Sequence, residues 1–281
     1  MKKLLYLPLV FLALQLQAQQ NVVFKIKYLP NHVYAGAITM GFDIKANLSG
    51  DTATLKKMAA QGITQPLALS MNMKMEGATK TDAPGTNGNF PIKIGYKFDN
   101  LSLELNGNAV PMPTDKLGEG VNIYGHVSAD GKISADSIGG KKIADTSDEK
   151  VAKLMNAIQK QINFPPHPMK IGETFTQDMP LNIPMAGNNI NINSKVVYTL
   201  VSIADGNANF DVQQSMDMSV PIAGASINLK GTGAGKLVYS IKDSFATDYN
   251  TTVDMKITGQ VKTLKIDATA QMKMEYKYTV N

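Results

Sequence analysis

From Phe245 onward the chain alternates between apolar and polar positions. Phe245, Thr247, Tyr249, Thr251, Val253, Met255 and Ile257 form one set, and Ala246, Asp248, Asn250, Thr252, Asp254, Lys256 and Thr258 form the other. After Gly259-Gln260 the pattern resumes. Leu264, Ile266, Ala268, Ala270, Met272, Met274, Tyr276, Tyr278 and Val280 fall on one side, and Lys265, Asp267, Thr269, Gln271, Lys273, Glu275 and Lys277 on the other. A period of two held for so long predicts two strands, each with one apolar and one polar face. Strands buried on both faces in a parallel sheet read as unbroken apolar runs, so this sheet is antiparallel. Antiparallel strands well beyond the usual length of about five or six residues curl into barrels or deep half-barrels.

The same alternation predicts strands over Tyr34 to Leu48, Leu67 to Glu76, Ile92 to Leu105, Ile190 to Ile203 and Asn209 to Val220. Asp130-Gly131 and Asp205-Gly206 lie between such runs and signal two-residue hairpins. The segments around them, VSADGKIS and VSIADGNANF, resemble each other and suggest two related halves, about 21–138 and 165–281. Between the halves, Thr146 to Glu149 fits a capping box, and Val151, Leu154, Met155, Ile158 and Ile162 share one helical face. This predicts a joining helix at about 147–162, ended by Pro165-Pro166. A shorter helix is expected from Thr52 to Ala60, with Leu55 and Met58 on its apolar side. Such helices cap the open mouth or edge of a sheet, or serve as a lid over a cavity. The expected fold is mostly β: an antiparallel curved half-barrel or barrel with one or two packed helices, in a single β-rich domain over 19–281.

The first residues carry a different pattern. Lys2 and Lys3 precede an apolar run from Leu4 to Leu14 and a short polar exit, the order of a secretory signal peptide. The run falls short of the ~20 residues that span a bilayer, so no transmembrane span is expected. Cleavage is placed after Ala18, with the exit past Gln19 or Gln20 as second choice, and no Cys follows to carry a lipid anchor. The protein is expected to be exported, to the periplasm or outside the cell.

Composition narrows the chemistry. Removing Lys2 and Lys3 lowers the formal charge from +5 to about +3, and the lysines are scattered among carboxylates as on a solvated surface. There is no Cys, so the core alone holds an exported chain together. All 28 basic residues are Lys; Arg, the bidentate partner of phosphates and guanine edges, is absent, which argues against nucleic acid as a partner. No Trp is present to stack on sugars.

Methionine is the unusual enrichment. Met71, Met73 and Met75 alternate along one strand, as do Met216 with Met218 and Met272 with Met274. Alternate residues share a face. Three readings fit: thioethers filling a core, an adaptable apolar pocket for a greasy ligand, and a soft-sulfur site for Cu(I). His32, His126 and His167 share no metal-ligand spacing, and no G-x-S-x-G elbow accompanies them. The glycines of GTGAG, Gly231 to Gly235, precede strand-like KLVYSI rather than a helix, so they read as a hairpin or bulge and not as a phosphate loop. Asp51-Thr52-Ala53 and Asp136-Ser137-Ile138 match a short bacterial O-glycosylation acceptor pattern. No catalytic residue, cofactor or metal site emerges.

One resemblance follows from the middle of the chain. FPPHPMKIGETF, Phe164 to Phe175, precedes long Thr/Met-rich alternating strands. Lys170, Gly172, Glu173, Thr174 and Phe175 match a "K-x-G-[DE]-[ST]-aromatic" junction, and the chain thereby resembles secreted β-rich proteins of Gram-negative bacteria. That resemblance implies a two-half curved sheet and brings no activity and no catalytic residue. A looser architectural similarity is to lipoprotein-carrier and lipocalin-like proteins, whose curved sheets enclose a lipid. The functional expectation is non-enzymatic binding of a lipid or other hydrophobic small molecule on the apolar face formed by Met71, Met73, Met75, Met216, Met218, Met272, Met274 and Tyr276. The alternative is an envelope or surface interaction protein with a solid core, meeting a protein partner through loops at Ala78 to Asn89 or Pro111 to Gly120. An unrecognised hydrolase comes third.

Overall fold

The computed structural model describes residues 22–111, 120–139, 141–142, 162–185, 188–222 and 225–281. The predicted signal peptide, the joining helix up to its last residue Ile162, and most of the Pro111 to Gly120 loop lie outside the described residues. The elements in chain order are β1 (Val33–Gly50), α1 (Thr52–Ala60), β2 (Leu67–Thr81), β3 (Phe90–Leu105), β4 (Asn108–Ala109), β5 (Val121–Val127), β6 (Ile133–Ile138) and β7 (Lys141–Lys142), followed by β8 (Thr174–Met185), β9 (Asn188–Ala204), β10 (Asn207–Ile222), β11 (Ala225–Ser240), β12 (Phe245–Val261) and β13 (Leu264–Val280).

Period-two patterning puts every one of these strands into one antiparallel sheet. Its order is β7-β6-β5-β3-β2-β1-β13-β12-β11-β10-β9-β8, with β4 paired to β3. Two meanders, β1 to β7 and β8 to β13, meet where β1 pairs β13, from Tyr34 opposite Val280 to Gly50 opposite Leu264. Among the described residues β7 and β8 do not pair with each other, so the sheet is curved but not closed by hydrogen bonds. The outer strand β8 carries Pro180 and Pro184, which have no N–H to offer a neighbour, a common way of blunting an edge.

The expected strands are all present, most of them longer than expected. β2 continues to Thr81, so Ala78 to Thr81 is strand, and the connection to β3 begins at Asp82. α1 has the expected bounds; Asp51 caps it, accepting the N–H groups of Ala53 and Thr54 at 3.2 Å. No residue of α1 is buried, so it lies outside the core, in the connection between β1 and β2. Asp205-Gly206 forms the expected two-residue hairpin, with φ of 51° and 75° as a type I′ turn requires. Asp130-Gly131 does not, because only Gly131 is left-handed (φ 87°) and the loop runs from Ser128 to Lys132. The sequence reading missed Asn106-Gly107, a left-handed pair (φ 51° and 77°) that turns β3 into β4.

GTGAG is the main departure. β11 runs straight through Gly231 to Gly235 with unbroken register, so these glycines form neither a hairpin nor a bulge. Gly231, Gly233 and Gly235 share the apolar face and stand opposite Met255, Val253 and Thr251 of β12. The side chains of β12 lie down over this bare strip. A Cβ at Gly233 would sit 2.7 Å from Val253 Cγ2, and Val253 has no exposed surface. A strip without side chains lets neighbouring strands bend sharply toward one face.

Apolar packing gathers at three places. Beneath the N-terminal residues, β9 to β12 contribute Tyr198, Leu200, Phe210, Val212, Leu237, Tyr239 and Tyr249 around Phe24. A second cluster joins Phe90, Ile92, Ile94, Ile123, Val127 and Ile133. The third joins Leu229, Val253, Met255 and Ala270, with Met216, Met218 and Met272 packed against it.

Candidate functional site

The register settles where the alternating methionines go. Met40 of β1 stands opposite both Met73 of β2 and Met274 of β13; Phe42 stands opposite Met71 and Met272, and Ile38 opposite Met75 and Tyr276. Paired positions share a sheet face. The residues on β2 and β13 named from sequence therefore lie on one continuous apolar face, with Met40, which the sequence reading missed, at its centre. Met216 and Met218 of β10 reach that face across Gly231 and Leu229 of β11, which in turn oppose Met255 and Ile257.

Only part of that face encloses space. A cavity of about 480 Å³ is walled by Met75, Met274 and Tyr276 together with Ile38, Gly77, Thr79, Ile94, Tyr96, Gln177, Tyr198, Phe245, Tyr249, Tyr278, Ile26 and Tyr28. Six strands separate β3 from β9 in the sheet, yet Tyr96 and Tyr198 face the same cavity, which measures how far the sheet curls. Met71, Met73, Met216, Met218 and Met272 are not brought to it. Met216, Met218 and Met272 pack in the third cluster instead.

The N-terminal residues make the outer wall. Val22 bridges to Met169; the Tyr239 hydroxyl donates to the Lys25 carbonyl at 2.8 Å; Lys27 N–H donates to the Ser244 carbonyl at 2.9 Å; and Leu29 N–H donates to the Tyr34 hydroxyl at 2.6 Å. These bonds hold residues 22–29 as a strap across the apolar face. Phe24 is buried with its ring edge-on to Phe210 and Tyr239 at 5.3 and 5.2 Å, the arrangement aromatic quadrupoles favour. Ile26 and Tyr28 point the next positions of the alternation at the cavity.

Glycines keep the floor open. Gly36 of β1 pairs with Gly77 of β2, and the Tyr278 ring lies across them: a Cβ at Gly36 would meet Tyr278 Cγ at 2.7 Å, and one at Gly77 would lie 4.0 Å from its hydroxyl. Four tyrosines of the wall form a connected group. Tyr249 stacks on Tyr276 at 5.7 Å, and Tyr276 meets Tyr278 edge-on at 5.5 Å. Tyr198 stacks on Phe175 at 4.8 Å and lies within electrostatic reach of Tyr249 and Tyr276. Burial raises the pKa of all four phenols, and their mutual proximity raises those of Tyr198 and Tyr276 further. They remain neutral hydrogen-bonding groups at any physiological pH.

The polar side of the sheet holds a larger space. A basin of about 1450 Å³ is lined by Asp43, Lys45, Glu104, Asp178, Lys195, Asp217, Lys230, Asp254 and Lys256, with Ile44, Leu69, Met216, Met255 and Ala270 between them, drawn from strands β3 through β8 of the sheet order. A wide twisted sheet is saddle-shaped, so it turns a hollow to opposite sides in different regions along strands this long. The basin mixes both signs of charge, as where Lys230 lies 3.9 Å from Asp217, and it offers no aromatic surface. Its chemistry is that of a solvated surface.

The histidines are dispersed. His32 Nδ1 pairs with the Pro30 carbonyl at 2.7 Å, and His167 lies 3.6 Å from Glu173. His126 lies 3.1 Å from Asp136 and opposite Ser134 in the register, but Asp136 is exposed, whereas a catalytic triad holds its imidazole with a buried carboxylate. Among the described residues no group of three His, Asp or Glu is placed to hold a metal ion, and no helix is long and apolar enough to cross a membrane. The K-x-G-[DE]-[ST]-aromatic junction is a turn: Glu173 N–H donates to the Lys170 carbonyl at 2.9 Å, and Gly172 takes φ 88°. Its Gly and Glu serve to start β8.

No protein-family model matches the chain, and no curated protein does. Solved structures that are similar to it include OccK5 (OpdH) of Pseudomonas aeruginosa, at 5% identity over 88% of this chain and 98% of that one with a TM-score of 0.30. OccK11 (OpdR) of the same organism is 8% identical over 91% and 98% with a TM-score of 0.23, and an outer membrane channel of Pseudomonas putida F1 is 6% identical over 91% and 98% with a TM-score of 0.18. At TM-scores this low the likeness carries no argument about this chain.

Proposed function

We propose that the protein is exported to the bacterial envelope, in the periplasm or outside the cell, and there binds a lipid or other hydrophobic small molecule without catalysis. The observation that carries this reading is the cavity between the strap and the apolar face, about 480 Å³ in volume and lined by Met75, Met274, Tyr276 and their neighbours. Its size falls within the range of roughly 300–1,000 Å³ typical of small-molecule sites. Flexible thioethers fit an apolar ligand of irregular outline, and the tyrosines add polar handles to an apolar wall. The leader-like residues 1–18 support export, and cleavage after Ala18 leaves only Gln19 to Asn21 ahead of the strap.

Native mass spectrometry of protein purified from its own host without detergent tests the reading. The expected result is a reproducible mass excess that disappears on denaturation and is identified as a lipid or other apolar molecule. A clean apo mass, together with no saturable binding of a neutral fluorescent probe, overturns it. N-terminal sequencing of the same material is expected to begin at Gln19; an intact Met1 start in a cytoplasmic fraction overturns the export.

A further inference from the structure

We propose that the cavity selects an uncharged hydrophobic molecule bearing a hydrogen-bond acceptor, such as a carbonyl or ether oxygen, which Tyr198 would engage, and that it rejects amphiphiles whose charge must enter with them. This deepens the ligand-binding reading above and rests on it. Among the described residues the cavity wall contains no Lys, Asp, Glu or His. A carboxylate or sulfonate drawn into it loses its hydration and meets no counter-ion, a penalty too large for apolar contact to offset.

The wall does offer phenolic donors, Tyr198 among them. Tyr276 already donates to the Ala246 carbonyl at 3.2 Å. Tyr198 is 3% exposed, and no hydrogen bond joins its hydroxyl to another described residue. Its ring is held flat on Phe175, so the hydroxyl has a set position rather than a choice of rotamers. A ligand oxygen within reach of this hydroxyl gains a hydrogen bond inside an apolar wall, which a bare hydrocarbon cannot form. The preferred occupant is therefore neutral, apolar over most of its surface, and carries at least one acceptor oxygen. A charged lipid enters only by its chain, with its head left outside the mouth.

Two rigid probes on one naphthalene skeleton separate charge from shape, because neither can leave a substituent outside as a flexible lipid can. Neutral phenylnaphthylamine is expected to bind the mature protein saturably, at least about tenfold more tightly than its sulfonated analogue anilinonaphthalenesulfonate. Equal binding of the two overturns the selection against charge while leaving ligand binding in place. Binding of neither overturns the underlying reading and this inference with it. The second arm uses Tyr198→Phe and the neutral naphthyl ketone prodan. The variant removes only an unpartnered hydroxyl, and an unchanged unfolding curve will verify its fold. Its affinity for prodan is expected to fall about tenfold, with phenylnaphthylamine unaffected. An unchanged prodan affinity, or an equal loss for both probes, overturns the assignment of Tyr198 as the donor.

Discussion

Single residues decide how closely the strands approach one another. At Gly235 a Cβ would fall 1.8 Å from the Asn250 carbonyl oxygen and 2.8 Å from its carbon, so even a methyl group forces backbone apart. At Gly41 the nearest atom is the end of the Asn72 side chain at 3.4 Å. Gly235→Ala is expected to lower stability by about 1–3 kcal/mol, as overpacking does. Gly41→Ala should be neutral, or stabilising by up to about 1 kcal/mol, because the less flexible residue lowers the entropy of the unfolded chain. Denaturant midpoints of the two variants test the contrast, and equal effects would contradict the role given to the strip. The buried tyrosines set a second residue-scale prediction. Their folded-state pKa values lie above the ordinary value of 10.0 because burial disfavours the phenolate. Above about pH 10 the unfolded chain loses these protons while the folded one keeps them, so the unfolded state binds fewer protons and stability falls as pH rises. Below that point their contribution is fully present. Denaturation midpoints should be flat in this respect from neutral pH to about 9 and decline beyond about 10, with tyrosinate absorbance appearing together with unfolding rather than before it.

At the scale of elements, the strap and α1 contrast. The strap has almost no regular structure, yet Phe24 is buried among Phe164, Phe210 and Tyr239. Phe24→Ala is expected to cost about 3–5 kcal/mol and to expose the N-terminal residues to protease. An intact, protease-resistant N-terminus in that variant would show that the strap is held by its backbone bonds alone. α1 keeps its form through its cap and length while burying nothing, so Asp51→Ala should cost no more than about 1 kcal/mol and leave the sheet unaffected. α1 was legible from Leu55 and Met58 because helical spacing is local. The strap was not, because a run such as Val22 to Leu29 alternates like an ordinary strand and only its aromatic partners, more than a hundred residues away, reveal what it covers.

Over the whole molecule, the pairing of β1 with β13 joins residues more than two hundred positions apart in sequence and holds the two meanders together. Closing a loop of that length precedes any gain from the pairing, so folding is expected to be slow, in the millisecond-to-second range typical of non-local β folds or slower. Stopped-flow refolding that finished within microseconds would be incompatible with this order of strands. Deleting residues 264–280 should leave β1 and β12 as unpaired edges and abolish cooperative unfolding. The cavity belongs to this scale as well. Tyr96 and Tyr198 wall one space only because six intervening strands curl between them, so neither residue alone marks a site.

Alternation along the chain was enough to determine β1, β2, β3, β9, β10, β12 and β13, the antiparallel character of the sheet and the face on which Met71, Met73, Met75, Met272, Met274 and Tyr276 lie, because a period of two is local backbone geometry. It also determined that this face is uncharged. Which part of the face encloses space was decided by tertiary structure alone: by the packing of Tyr278 over Gly36 and Gly77, and by the strap that closes over them. The physical reason is that face identity is a property of one strand, whereas enclosure depends on the curvature summed over many.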